Sequence, residues 1–311
     1  MFGKKTVVDM INRSAENEAD RRAFLRTAGM AGLGVVGSAG ILGAGSSSAS
    51  AETAGAPSDG AVLNFALNLE YLEAEFYLHA VYGDGLASSL TGGKGDRGGV
   101  VGGRKVQFKT PAIRQYAREI AHDELAHVKF LRSALGAAKV ARPKINLRES
   151  FTAAARAAGL IKAGQTFDPY ANENNFLLAA FIFEDVGVTA YKGASPLISN
   201  KTYLEAAAGI LAVEAYHAAI IRTNLYARGL DAPAQKISDA RDSLDGRTDL
   251  DRGISRRGRA NLVPTDANGI VFSRSAAQVL NIVYLTPKRR DEGGFFPEGV
   301  NGSIRHSGSN G

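Results

Sequence analysis

Apolar residues recur at the spacing of an α-helix in four long segments of the chain. These segments are residues 61–82, 111 to about 135, about 174–192 and about 201–228. Asp59 is the predicted N-cap of the first helix, and Gly83 is its predicted end. Shorter amphipathic stretches lie near residues 148–161, 232–244 and 275–285. Because no segment alternates convincingly with the two-residue period of a strand, the pattern predicts an all-α protein.

Two connections between the predicted helices are long. Residues 83–109 are rich in glycine and are predicted to form a loop, but they lack the residue order of a phosphate-binding loop. Residues 136–173 join the second helix to the third. Beyond Gly229 the chain becomes more polar. We therefore expect the four helices within residues 52–230 and a C-terminal extension over residues 231–311.

The N-terminal residues have the features of an export signal. Arg21 and Arg22 precede Phe24-Leu25, a short glycine-rich apolar run follows, and residues 49–51 read Ala-Ser-Ala like a cleavage site. Residues 1–51 resemble a twin-arginine signal peptide. The alternative is a disordered tail in which the arginines are placed by chance. The first interpretation predicts export to the periplasm or cell envelope, with no integral membrane span after processing.

Charge and cysteine content narrow the classes of site. The 37 lysines and arginines exceed the 31 aspartates and glutamates, for a net charge of +6, but the two signs are interleaved along the chain. We therefore interpret them as a solvated surface and expect no nucleic-acid partner. The chain has 0 cysteines. This excludes disulfides, thiolate metal sites and a cysteine nucleophile, so any metal must be held by nitrogen and oxygen.

Charged residues occupy the apolar faces of the four helices in a repeated order. They are Glu70 on the first helix, Glu124 and His127 on the second, Glu184 on the third, and Glu214 and His217 on the fourth. A spacing of three residues places both members of each Glu-x-x-His motif on one helix face. Each single glutamate is followed seven residues later by a tyrosine, Tyr77 or Tyr191.

The energetics of burial favour a metal site. An unpaired carboxylate in a protein core costs several kcal/mol, so four of them need compensation. Two divalent cations would balance four carboxylates, and two neutral imidazoles would add nitrogen ligands. Glutamate oxygen with imidazole nitrogen suits iron or manganese, and zinc less specifically. The alternative is that these residues lie on solvated helix faces and share their spacing by coincidence.

The motifs resemble those of the ferritin-like di-metal carboxylate superfamily, in which two helices each give a Glu and two give a Glu-x-x-His. The stretches LNFALNLEYLEAEFY and GGFFPEGVNG are similar to those of exported ferritin-like proteins labelled desiccation-related or stress-response. The resemblance implies a four-helix bundle with a long crossover over residues 136–173. It also implies that the six Glu and His residues bind two iron or manganese ions, with Glu124 and Glu214 as bridges.

Several neighbouring residues have two interpretations. Tyr77 and Tyr191 are candidate catalytic residues that hydrogen-bond a ligand carboxylate or relay an electron, or else ordinary core tyrosines. Asp123 either orients a ligand imidazole or lies on the surface. Glu73 shares the face of Glu70 and is an alternative ligand. We expect Glu75, His79, His122 and His306 to be solvated.

Two classes of function remain open. In the first, the metal pair is a redox enzyme site whose partner is a small oxidant, either peroxide or dioxygen. Manganese would favour peroxide disproportionation, and iron would favour ferroxidase or peroxidase chemistry. In the second, the protein is a non-enzymatic protective or metal-sequestering protein of the cell envelope. Association into a homo-oligomer is compatible with either class.

Overall fold

A computed structural model describes residues 56–310, so the predicted signal peptide lies outside the described residues. The α-helices are α1 (Asp59–Tyr82), α2 (Pro111–Leu135), α3 (Glu149–Ala157), α4 (Glu173–Ala194), α5 (Lys201–Ala227), α6 (Asp231–Asp245) and α7 (Ala276–Val283). Short 3-10 turns span Ser88–Leu90, Gly136–Ala138 and Ser195–Leu197. Two small ladders complete the described chain: β1 (Val100–Val101) pairs in parallel with β2 (Ile145–Asn146), and β3 (Ser255–Arg256) pairs antiparallel with β4 (Arg259–Ala260). The all-α prediction is confirmed.

Local capping sets the ends of the long helices. Ser58 caps α1 by accepting a hydrogen bond from the Ala61 N–H, so the predicted cap, Asp59, was wrong by one residue. The Asp59 carboxylate instead accepts hydrogen bonds from the Ser199 and Asn200 N–H groups, which ties the start of α1 to the start of α5. Gly83 ends α1 as predicted, with a φ of 89° that glycine adopts without strain.

The four long helices pack as two pairs. α1 lies along α2, α4 lies along α5, and the pairs meet where α1 contacts α4 and α2 contacts α5. The chain passes from the first pair to the second through residues 136–172, which include β2 and α3. This is the predicted long crossover. Leucine, isoleucine, phenylalanine and alanine side chains fill the interior, and full burial of each large one contributes about 1.5–3 kcal/mol.

The C-terminal segment packs onto this bundle. α6 and α7 both contact α4, and the ring of Phe295 lies 5.0 Å from that of Phe151 and 4.9 Å from that of Phe183. Arg274 is fully buried, and its Nε lies 2.7 Å from Asp245 Oδ2. Residues 231–310 therefore share the core of the four-helix bundle.

The glycine-rich segment also packs on the bundle, with a consequence for Glu75. The Glu75 side chain is fully buried, forms an ion pair with Arg142 from the crossover, and accepts a hydrogen bond from the Leu86 N–H. The expectation that Glu75 is solvated was therefore wrong. His79 is also mostly covered, with 14% of its side chain exposed, whereas His122 and His306 are exposed as expected.

Among the described helices, α5 is long and apolar enough to cross a membrane, by length and composition alone. Core helices of water-soluble proteins often have the same composition. In this chain α5 carries Glu214 and His217 on its buried face.

Candidate metal centre

The bundle brings all six predicted ligand residues together in its interior. Relative exposure is 0% for Glu124, Glu184 and Glu214, 2% for Glu70 and His217, and 8% for His127. Each of the four long helices supplies at least one of them. The alternative that these residues lie on solvated helix faces is therefore wrong.

The first group of ligand atoms surrounds His127. Its Nδ1 lies 3.2 Å from Glu70 Oε2, 3.5 Å from Glu124 Oε2 and 3.8 Å from Glu214 Oε1. One ligand atom from each of these four residues lies within 4.8 Å of the other three. This spacing suits a single cation held by three carboxylates and one imidazole.

The second group surrounds His217 and shares one residue with the first. His217 Nδ1 lies 3.0 Å from Glu124 Oε1 and 3.7 Å from Glu184 Oε2. One ligand atom each of Glu124, Glu184 and His217 again lies within 4.8 Å of the others. The two imidazole rings are 6.4 Å apart, centre to centre. The two oxygens of Glu124 thus face different histidines, as those of a bridging carboxylate would.

Asp123 contacts one of these imidazoles from outside the cluster. Its Oδ2 lies 3.1 Å from His217 Nε2, on the opposite side of the ring from Glu124. A carboxylate on the outer nitrogen of a metal-binding histidine fixes the tautomer and the orientation of the ring. The orienting interpretation of Asp123 fits this contact, although the partner is on α5 rather than on its own helix.

Each of the two tyrosines forms a hydrogen bond with a glutamate on the helix that carries the other tyrosine. Tyr77 on α1 donates a hydrogen bond to Glu184 Oε1 on α4, and Tyr191 on α4 donates to Glu70 Oε1 on α1. Burial, followed by the charge of the bonded glutamate, raises the pKa of each phenol well above its usual value. Both phenols therefore keep their protons, and each holds one oxygen of a carboxylate whose other oxygen faces a histidine.

Several polar atoms of the cluster make no hydrogen bond within the described part of the chain and are close only to other members of the cluster. Both oxygens of Glu124 and Glu214, Glu184 Oε2 and His217 Nδ1 are buried and make no hydrogen bond. Leaving a buried donor or acceptor unsatisfied costs about 1–3 kcal/mol, and more for a charged group. These atoms converge within the two ligand groups, and oxygen with imidazole nitrogen is a donor set suited to iron or manganese. The residues present therefore fit a pair of cations.

Three of the four carboxyl groups hold protons more tightly than usual when no metal is bound. Burial raises the pKa of Glu70 to about 7, with the charge of His127 opposing the shift. Burial likewise raises the pKa of Glu184 to about 8, against the charge of His217. The pKa of Glu214 is raised well above its usual value by burial and then by the charge of Glu73.

The two imidazoles also hold extra protons. Burial alone would lower the pKa of His127, but the neighbouring Glu70 and Glu124 raise it to about 11. The pKa of His217 is raised to about 10 against its burial, first by the charge of Glu184. In turn, the two nearby imidazoles outweigh burial and hold the pKa of Glu124 below its usual range. Protons thus supply part of the positive charge that bound cations would replace.

Two further residues adjoin the cluster. Glu73, the alternative ligand on α1, is 6% exposed and therefore buried beside it. Gly187 on α4 was not identified from the sequence. A Cβ atom at that position would lie 2.1 Å from Glu214 Oε2, so only glycine lets this carboxylate approach the helix so closely. The sequence feature that could have identified Gly187 is a glycine within a largely apolar helix, where glycine lowers stability by about 0.5–1 kcal/mol relative to alanine.

Comparison with known proteins agrees with this geometry. Residues 58–227 match the family model described as a ferritin-like domain. The chain is 31% identical to "Desiccation-related protein PCC13-62" of Craterostigma plantagineum, over 79% of this chain and 83% of that protein. It is 28% identical to "Ferritin-like catalase Nec2" of Nesocodon mauritianus, over 79% of this chain and 85% of that protein. No solved structure matches at a significant level. With its long helices, its crossover and a matched region covering more than half its length, the chain belongs to the ferritin-like domain family.

Proposed function

We propose that the centre holds two iron or manganese ions and acts on peroxide or dioxygen. The observation that carries this proposal is the pair of ligand groups that overlap at Glu124 and contain buried polar atoms without hydrogen bonds. The relative named as a ferritin-like catalase favours peroxide as the substrate. When bound, the metal pair would supply the electron-transfer chemistry that peroxide disproportionation requires.

The side chains of this site would prepare the centre in three ways. Glu124 lies between the two histidines, so it would hold both ions at a fixed separation. Tyr77 and Tyr191 would keep the outer carboxylate oxygens in place by hydrogen bonds. The burial of the cluster would exclude bulk water and all but small substrates, since the most exposed of the six residues, His127, is only 8% exposed.

The direct test is peroxide turnover by the reconstituted protein. Metal-free protein would be loaded with manganous or ferrous ion, desalted, and assayed for oxygen release from hydrogen peroxide. We expect release proportional to bound metal, abolished in Glu124→Ala and retained in Glu205→Gln, which changes an exposed residue of α5. If metal-loaded protein releases oxygen no faster than the same concentration of free metal ion, the peroxide activity is ruled out.

A second candidate is non-enzymatic protection or metal sequestration in the cell envelope. The 31% identical relative named as a desiccation-related protein favours it. This candidate predicts tight metal binding without peroxide or dioxygen turnover. Oxygen release from peroxide and oxygen uptake with added ferrous ion together separate the two, because a sequestering protein would show neither above the level of free metal ion.

We further propose that the protein is exported through the twin-arginine route. The support is the sequence around Arg21 and Arg22. Replacing both arginines by lysine should leave the protein in the cytoplasm with its N-terminal segment uncleaved, as seen by fractionation and mass spectrometry. Normal processing of that double variant would mean that this pair does not direct export.

A further inference from the structure

Three arginines lie together on the hairpin that β3 and β4 form in the C-terminal segment. Arg256 pairs with Arg259 across the two strands, so Arg257 and Gly258 form the two-residue turn between them. All four residues are exposed. Within the described chain, the three arginine side chains alone line an open concavity of about 480 Å³. Because arginine is always protonated in proteins, this arginine hairpin presents three positive charges to solvent.

The backbone of the turn is unusual for an arginine. Arg257 has a φ of 52° and Gly258 has a φ of 73°. Two successive residues with positive φ are typical of a tight type I′ turn, whose first position is usually Asn, Asp or Gly. A long side chain is disfavoured in this left-handed region, and backbone strain of this kind tends to occur at functional positions. The strain therefore favours a functional role for the Arg257 side chain.

The charges of the arginine hairpin are not paired within the protein. In the part of the chain that the structure describes, none of the three guanidinium groups makes an ion pair or a side-chain hydrogen bond. A neighbouring cavity, which Arg256 also lines, contains four aspartates. Asp249 and Asp251 form ion pairs with other arginines, and Asp239 and Asp242 accept hydrogen bonds from other groups. The arginine charges therefore remain available to an external anion.

Exposed aliphatic side chains lie beside the arginine hairpin. Val263 is 64% exposed and Ile270 is 50% exposed. Val263 lines one cavity together with Arg252 and with Val271, the residue that follows Ile270. Arg252 also lines the aspartate cavity together with Arg256. The surface around the arginine hairpin is therefore both basic and apolar.

We propose that the arginine hairpin docks the protein onto an anionic lipid surface by binding the phosphate groups of the lipids. A guanidinium group presents N–H donors in a geometry that matches phosphate oxygens. Positive charge attracts anionic head groups, and neighbouring apolar side chains enter the interface. Single-stranded nucleic acid would favour exposed aromatic rings for base stacking, whereas Val263 and Ile270 are aliphatic. Such contact requires no membrane-spanning helix and does not depend on the metal centre.

The first experiment measures binding of the full chain to vesicles of phosphatidylglycerol and phosphatidylcholine, and to vesicles of phosphatidylcholine alone. An arginine near an anionic surface strengthens binding about fivefold, so replacing all three hairpin arginines by glutamine should weaken binding to the anionic vesicles roughly a hundredfold. The matched control replaces three exposed basic residues of α2, Arg114, Arg118 and Lys129, by glutamine and should bind nearly like the wild type. The hairpin variant should melt at the wild-type temperature, because its arginines form no ion pairs.

A label at the hairpin tests the contact itself, whatever the apolar N-terminal residues that all variants share contribute to binding. The chain has 0 cysteines, so one introduced cysteine carries the only thiol-linked fluorophore. Ala260→Cys places it on β4, and Glu119→Cys places it on the exposed side of α2. Anionic vesicles should shift the emission of the first label to shorter wavelength and leave that of the second unchanged.

Several results would overturn the proposal. They are equal binding to both kinds of vesicle, wild-type binding by the hairpin variant, and an emission shift at Ala260→Cys no larger than that at Glu119→Cys. Binding of inorganic phosphate without binding of anionic vesicles would assign the concavity to a free anion instead. Tighter binding of single-stranded RNA than of anionic vesicles, lost in the hairpin variant, would replace lipid by nucleic acid.

Discussion

Glu124 is the residue on which both proposed metal positions depend. Its Oε1 lies 3.0 Å from His217 Nδ1 and its Oε2 lies 3.5 Å from His127 Nδ1, so it takes part in both ligand groups. Glu214 is equally buried but belongs only to the group around His127. The family resemblance predicts the same bridging role for both glutamates, and the three-dimensional arrangement distinguishes them.

This difference predicts unequal effects of the same substitution. Glu124→Ala should lose tight binding of both ions, whereas Glu214→Ala should lose one and keep the other, because Glu124, Glu184 and His217 remain. The measurement is metal content by elemental analysis after loading and extensive dialysis. Equal loss in the two variants would mean that Glu214 also bridges.

At the scale of the elements, each long helix has a charged position within its apolar surface, and that position could be predicted from sequence. Helical spacing of apolar residues located α1, α2, α4 and α5 to within about two residues, and it located the shorter α3, α6 and α7. A spacing of three residues placed Glu124 with His127 and Glu214 with His217 on single faces. Periodicity describes one helix at a time, so it could not show what would cover each face.

Glu75 illustrates why helical periodicity cannot show which segments cover a helix face. It lies on α1 away from the Glu70 face, but Arg142 from the crossover and the segment around Leu86 fold over it. Asp123 shows the same limit, since its partner is His217, 94 residues later in the chain. Contacts between residues so far apart depend on tertiary packing that no local pattern encodes.

The bundle should depend on pH and on metal together. The pKa values of Glu70 and Glu184 are raised from 4.5 to about 7 and about 8, so between pH 4.5 and 8 the metal-free folded protein binds more protons than the unfolded chain. Its stability therefore falls as pH rises through that range. The raised values of His127 and His217, about 11 and about 10, act in the same direction above pH 6.5.

Removal of metal should accordingly lower the melting temperature more at pH 8 than at pH 5. At pH 5 Glu70 and Glu184 still hold protons, whereas at pH 8 Glu70 has lost its proton and Glu184 is losing it, so repulsion among the carboxylates increases. Each kcal/mol lost corresponds to about 2–4 °C for a chain of this size. The measurement is calorimetric melting with and without chelator at both pH values. An equal or smaller effect of chelator at pH 8 would contradict this account of the cluster.

At the scale of the whole molecule, a buried network of ion pairs joins the C-terminal segment, residues 231–310, to α4. Arg241 and Arg222 both contact Asp185, the residue after Glu184, and Arg241 also contacts Asp251. Arg274 pairs with Asp245 and Asp251. These residues come from four separate parts of the chain, so the network joins the segment to the bundle beside the proposed metal centre.

Removing one member of this network should be costly. Arg274→Ala would leave Asp245 and Asp251 partly unpaired in the core, and breaking a buried ion pair in this way costs about 3–5 kcal/mol. Arg104→Ala is the matched control, because its pair with Asp168 is largely exposed and is expected to contribute about 0–1 kcal/mol. Chemical denaturation of the two variants measures both values. A similar small loss in each would show that the segment contributes little to stability.

The central claim is that the buried cluster binds two metal ions, and anomalous diffraction from crystals grown with manganous or ferrous ion tests it most directly. The account predicts two anomalous peaks per chain in the bundle interior. One should lie among Glu70, Glu124, His127 and Glu214, and the other among Glu124, Glu184 and His217. A well-ordered bundle with no anomalous density at these positions, or with metal bound only to exposed acidic residues, would contradict it.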